Sequence, residues 1–176
     1  MTLKSKARSA TQIMTDALAA ADPNTADIDI LKTLKEEHNE VKELLADLKD
    51  TTGAAQRKAL VKRIRNALVP HTKAEQKVVY DAILALRQRD VQTDGYEGYL
   101  EHELASSALQ RLASIRDAAS PEHHATGKVL MELVEHHIRE EESNVWDDVK
   151  DHFSAQQRAQ MNTAFLAAKR RVRLSR

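Results

Sequence analysis

His71-Thr-Lys-Ala-Glu75-Gln-Lys-Val-Val79-Tyr80-Asp81 and His137-Ile-Arg-Glu-Glu141-Glu-Ser-Asn-Val145-Trp146-Asp147 are two copies of one pattern. Histidine, glutamate, valine and aspartate recur in register, with tyrosine set against tryptophan. On a helix, His and Glu four residues apart lie one turn from each other on the same face. A single histidine precedes each copy: His38 lies 33 residues before His71, and His102 lies 35 residues before His137. The pattern H…HxxxE, written twice, reads as a duplicated helical hairpin with approximate two-fold symmetry. The alignment also chooses a register. His136/Glu140 has the same i,i+4 spacing, but only His137/Glu141 sets Val145 against Val79 and Trp146 against Tyr80.

Working outward from these motifs, the chain supplies the helices they need. Its 176 residues are enough for one domain with a proper core. Four glycines, three prolines and 3% aromatics are too few for a β-rich fold. Ala, Leu, Glu, Lys, Arg and Gln dominate, and these are strong helix formers. Residues 1–26 read as a polar leader with weak helical character at Ile13, Ala17 and Leu18, broken near Pro23. Asp27 or Asp29 caps a first helix to about Asp50, which Thr51-Thr52-Gly53 breaks. A second helix is expected from about Ala55 to Leu86, followed by a break at Asp90–Gly95. The third runs from about Tyr96 to Ala118. Ser120-Pro121 is a start signal for the fourth, which continues to about Phe153. The expected fold is all-α: an antiparallel up-and-down four-helix bundle over residues 27–153. Residues 154–176 form a C-terminal amphipathic helix and basic tail.

Each of the four helices places a histidine on its apolar seam. The first seam reads Leu34, His38, Val41, Leu45, Leu48, and the second Ile64, Leu68, His71, Glu75, Val78, Ala82. The third reads Gly98, His102, Ala105, Leu109, Leu112, and the fourth Leu130, Val134, His137, Glu141, Asn144. A single seam histidine is usually an ordinary core residue. Two carboxylates on the same seams, with no Lys or Arg to neutralise them, are costly in an empty core. The same groups suit a metal site, and the two-fold pattern suits two ions, each with ligands from one pair of helices. His38, His71, Glu75, His102, His137 and Glu141 are therefore the expected metal ligands. A metal-free bundle with four core histidines is the plain alternative.

Other features bound the function. Lys+Arg 27 against Asp+Glu 27 gives no net charge, so a general electrostatic nucleic-acid contact is not expected. The absence of cysteine excludes disulfides, iron–sulfur clusters and thiolate zinc sites. Mean hydropathy of −0.56 and no long apolar run argue against a membrane span. The N-terminus lacks a hydrophobic core of the secretory type, and a cytoplasmic location is the expectation. His123 and His124 read as exposed first-turn residues, and His152 as a residue near a helix end. Tyr80 and Trp146 read as core filling, with solvent exclusion or electron transfer as sharper roles. Glu101 and Glu103 read as surface charge, with a bond to a ligand histidine as the sharper option. Pro70 can kink the second helix and re-aim His71.

The stretches ILKTLKEEHNEVKELL around His38, PHTKAEQKVVY at His71, EHEL at His102 and HHIREEESNVW around His137 resemble the hemerythrin-like proteins with an HHE cation-binding domain. The resemblance covers about Ile30 to Phe153. It implies an antiparallel four-helix bundle around a non-haem di-iron centre with an oxo or hydroxo bridge. In that centre the two glutamates bridge the irons and the histidines bind terminally. Oxygen-carrying members have a further histidine one turn after the first on the third helix, where this chain has Ser106. The six-ligand pattern is more similar to members tied to nitric oxide, peroxide or iron-centre repair. Both irons then keep an open position for O2, NO or peroxide, with sensing or detoxification in oxidative or nitrosative stress as the implied role. Whether the chain is an enzyme stays open between stoichiometric binding and peroxide- or NO-directed turnover. Imidazole and carboxylate also accept zinc or manganese. An iron-responsive regulatory or interaction module, with an unknown redox or regulatory protein partner, is the alternative.

Overall fold

The computed structural model describes residues 28–174, so the polar leader lies outside the described residues. Helix α1 spans Ile30–Asp50 and α2 spans Ala54–Glu75; a π-helical turn, Gln76–Tyr80, joins α2 to α3, Asp81–Leu84. Helix α4 spans Arg89–Ser114. Helix α5, Pro121–Glu140, passes through a second π-helical turn, Glu141–Val145, into α6, Trp146–His152. Helix α7 spans Ala155–Arg171. Among the described residues the structure is all helical, a bundle with a helical extension. Neighbours pack in the cycle α1–α2–α4–α5–α1, as antiparallel helices with short connections require.

Local chemistry fixes the ends of these helices. Asp29 caps α1, its Oδ1 accepting from the Leu31 amide at 3.0 Å. Ser120 caps α5 by accepting from the His123 amide at 3.2 Å, and Pro121 takes the first helical position. Ser154 and Gln157 form a reciprocal capping box at the start of α7. The guanidinium of Arg158 donates to Asp29 at 2.7 Å, which ties α7 to the start of α1.

Several expected boundaries and orientations move. Asp90–Gly95 is helix, not a break: the connection is Ala85–Gln88, with Arg87 in the left-handed region at φ 61. Gly95 serves packing, because a Cβ there would meet Leu84 at 3.1 Å. Helix α4 ends at Ser114 rather than near Ala118. Asn144 is exposed and Val145 is buried instead. The wider π turn places an extra residue in that turn and advances the buried seam by one position. His123 is buried, against the expected exposure. Its Nδ1 accepts from Arg57 at 3.1 Å, and the same buried guanidinium donates to the carbonyls of Leu48 and Thr51 at 2.6 and 2.7 Å. Burial and the neighbouring Arg57 cation lower the pKa of His123, so the imidazole acts as an acceptor.

Two apolar clusters fill the interior. One joins Ile30, Leu34, Val79, Tyr80, Ile83, Val149 and, from α7, Met161 and Phe165. The other joins Val41, Leu45, Leu48, Ile64, Leu109, Leu112, Leu130 and Val134. Between them, at the level where each seam changes from one cluster to the other, lies a polar layer.

Candidate metal centre

That layer is made of the residues singled out in the sequence. His38, His71, Glu75, His102, His137 and Glu141 are each at most 5% exposed. Glu75 Oε2 lies 3.3 Å from Nε2 of both His71 and His102. Glu141 Oε2 lies 3.3 Å from His38 Nε2 and 3.5 Å from His137 Nε2. Each carboxylate therefore reaches one histidine of each hairpin. The imidazole pairs close the layer: His102 Nε2 and His137 Nε2 are 3.0 Å apart, and the His38 and His71 rings are 5.1 Å apart. His136 is half exposed and outside the layer, so it is the His137/Glu141 register that points inward.

Two groups of donor atoms could each hold an ion. His38, His71 and Glu75 form one, and Glu75, His102 and His137 form the other, with Glu75 common to both. All four oxygens of Glu75 and Glu141 are buried without a hydrogen-bond partner, as is His38 Nε2. Buried polar atoms of native proteins are otherwise almost always satisfied. An ion in each group would engage Glu75 and the four imidazoles, and Glu141, which lies in neither group, faces His38 and His137 across the same layer.

The outer nitrogens are anchored. Nδ1 of His38 bonds Glu142 at 3.1 Å, that of His71 bonds Glu37 at 3.0 Å, and that of His137 bonds Glu101 at 2.8 Å. A carboxylate on Nδ1 fixes the ring and directs the Nε2 lone pair inward, as in metal-binding histidines generally. Glu101 thus takes the sharper of the two roles read for it, while Glu103 is exposed. Glu37 and Glu142 were not singled out in the sequence. The repeat carried a signal for Glu37: a Glu-His dipeptide opens each half, at 37–38 and 101–102, and each Glu reaches the second histidine of its own hairpin.

The symmetry is broken at His102, whose Nδ1 has no partner. The repeat sets Gln76 where Glu142 stands in the other half. Lys35 pairs with Glu142 at 2.5 Å, whereas its counterpart Tyr99 donates to the Gln76 carbonyl at 3.1 Å. The protonation equilibria follow this difference. Burial pulls His71 down, but the Glu75 charge and the Glu37 bond prevail and push it up to about 10. Burial dominates at His102 and pushes it down to about 4. Burial raises Glu75, yet His71 and His102 hold it well below the ordinary carboxylate range. Glu141 is raised, by burial and then by the charge of Glu75. Tyr80 is held protonated, its pKa raised by burial and by Glu141, Glu75 and Glu101.

The family profile of the Hemerythrin HHE cation binding domain matches residues 29–147, and the chain belongs to that family. A DNA nickase of Nostoc sp. (strain PCC 7120) is 27% identical over 146 residues, covering 83% of this chain and 40% of the relative. The chain therefore spans less than half the length of that curated relative. No solved structure matches this chain. Among the described residues no helix is long and apolar enough to cross a membrane.

Proposed function

We propose that this protein is a non-haem di-iron protein that binds or reacts with O2, NO or peroxide, acting in the cytoplasm as a sensor or detoxifier under oxidative or nitrosative stress. The observation that carries the reading is the convergence of four buried imidazoles on two buried carboxylates whose oxygens have no hydrogen-bond partner. His38 and His71 would hold one ion and His102 and His137 the other, with Glu75 and Glu141 shared between them. Iron bound there supplies Fe(II)/Fe(III) redox chemistry and an open position for a small ligand. The protein's own part is to orient and to exclude water. Glu37, Glu101 and Glu142 set the ring planes of three histidines, and the apolar clusters on either side keep bulk water out.

Titration of anaerobically iron(II)-loaded protein with O2, NO and hydrogen peroxide tests this reading. A spectral change that saturates with at least one of them is expected; consumption far beyond stoichiometry would make the protein a catalyst. No response to any of the three contradicts the proposal.

A second reading, an iron-responsive interaction module, is favoured by one surface feature. Tyr96, Leu100 and Leu104 form an exposed apolar row along α4, at 61, 62 and 56% exposure. In that case metal raises the stability of the bundle while none of the three small molecules gives a response. The name of the Nostoc relative, a DNA nickase, raises DNA as a substrate. The balanced charge of this chain supports no general nucleic-acid contact, and supercoiled plasmid should stay intact with the metal-loaded protein.

A further inference from the structure

The two halves of the site differ in what covers them. On the first half, Trp146 stacks on His38 with ring centroids 6.0 Å apart and planes at 14°, and Phe165 meets His71 edge-on at 5.9 Å. Both are aromatic covers, and neither is a phenol. On the second half, the repeat's counterpart of Trp146 is Tyr80, whose ring centroid lies 5.3 Å from that of His102. Tyr80 is fully buried, and its hydroxyl has no hydrogen-bond partner.

A narrow cleft reaches this half from the surface. Asp94, Glu97 and Glu101 of α4 line one wall, His137 and Glu141 the other, and Tyr80 is among its lining residues. It has room for about one water-sized molecule. Gly98 makes the arrangement possible, because a Cβ there would lie 2.5 Å from Tyr80 Cζ and 2.7 Å from its hydroxyl oxygen. The cleft thus meets a phenol donor and two of the candidate metal ligands in one place, beside the one histidine of the layer whose Nδ1 has no carboxylate.

We propose that the small ligand of the metal centre enters through this cleft and is held on the His102/His137 half by a hydrogen bond donated by the Tyr80 hydroxyl. The proposal rests on the di-iron reading above and adds the side of entry and a positioning residue to it. The cleft's size restricts the ligand to a small molecule of two or three heavy atoms. The hydroxyl discriminates by requiring an acceptor atom on the bound molecule.

Azide, titrated to equilibrium into the iron(III)-loaded protein and followed by its charge-transfer absorption, is the probe. Tyr80→Phe should retain wild-type iron content and bind azide roughly tenfold more weakly, the loss expected for one hydrogen bond. Tyr99→Phe removes a hydroxyl already engaged with the Gln76 carbonyl and Asp81, and should leave azide affinity unchanged. Equal azide affinity in wild type and Tyr80→Phe overturns the proposal alone. So does loss of iron from Tyr80→Phe, or a tyrosinate-to-iron band that disappears in it, because the phenol would then hold the metal. A wild-type protein that carries iron and binds no azide overturns the proposal together with the open position. A wild-type protein that carries no iron removes the di-iron reading itself.

Discussion

Replacing Glu141 with leucine separates a metal site from a structural cluster of ion pairs, because the two give opposite signs for the metal-free protein. Glu141 is 1% exposed, and both of its oxygens lack a hydrogen-bond partner. Burial and the charge of Glu75 raise its pKa, so its ionised form is poorly compensated. A buried polar atom without a partner costs about 1–3 kcal/mol, and exchanging a buried ionic group for an apolar one of similar volume is often stabilising by about 1–4 kcal/mol. The contacts to His38 and His137, at 3.3 and 3.5 Å, offset part of this. A net gain of roughly 2 kcal/mol is expected for the metal-free variant, or a Tm higher by about 4–8 °C. With metal the order reverses. Wild type gains about 2.7 kcal/mol at a metal concentration of roughly a hundred times Kd, and Glu141→Leu gains little. Thermal unfolding by circular dichroism, with chelator and with iron(II), reads both effects. Glu140→Ala, on the same helix but outside the layer, should stay within about 0.5 kcal/mol of wild type in either condition. A metal-free Glu141→Leu protein destabilised by about 3–5 kcal/mol would refute the reasoning, since that is the effect of breaking a compensated buried pair.

Further outcomes follow from the same geometry. Glu101→Gln exchanges the carboxylate on His137 Nδ1 at 2.8 Å for a neutral amide and should weaken metal binding about 10–100-fold by competition with a chromogenic chelator, whereas Glu103→Gln should not; equal effects would deny Glu101 its orienting role. Arg57→Met leaves the Leu48 carbonyl and His123 without their donor and should cost about 2–4 kcal/mol in urea unfolding, with metal content unchanged. Metal affinity should rise with pH between about 6 and 8. His71 holds its proton up to about 10 in the metal-free bundle, so binding near neutrality expels at least one proton and gains about tenfold per pH unit for each proton released. Calorimetry in buffers of different ionisation enthalpy measures that release, and a pH-independent affinity would contradict it.

The fold was legible because its signals were redundant. Four apolar seams at helical spacing, Ser120-Pro121 and the Thr51–Gly53 break agree with one another, and α1 and α5 begin at residues their caps dictate. The break expected at Asp90–Gly95 failed because the glycine there packs against Leu84, at the end of the preceding helix, a contact that the residue types alone do not display. The six inward residues were legible because His and Glu on apolar seams conflict with their surroundings. Asn144 was misplaced because a π turn shifts the seam by one residue, and no residue type announces a π turn. Glu37 and Glu142 were missed because a carboxylate off the seam looks like surface charge until the facing imidazole is known. His123 was misread for the same reason: its partner, Arg57, lies 66 residues away.

Metal content per chain, by elemental mass spectrometry on untagged protein reconstituted anaerobically with iron(II), tests the central claim most directly. Two donor groups that share Glu75 predict about two irons per chain, and Glu75→Ala should abolish most of that content. Wild-type protein without bound metal would contradict the account and leave the layer a structural cluster of histidines and glutamates.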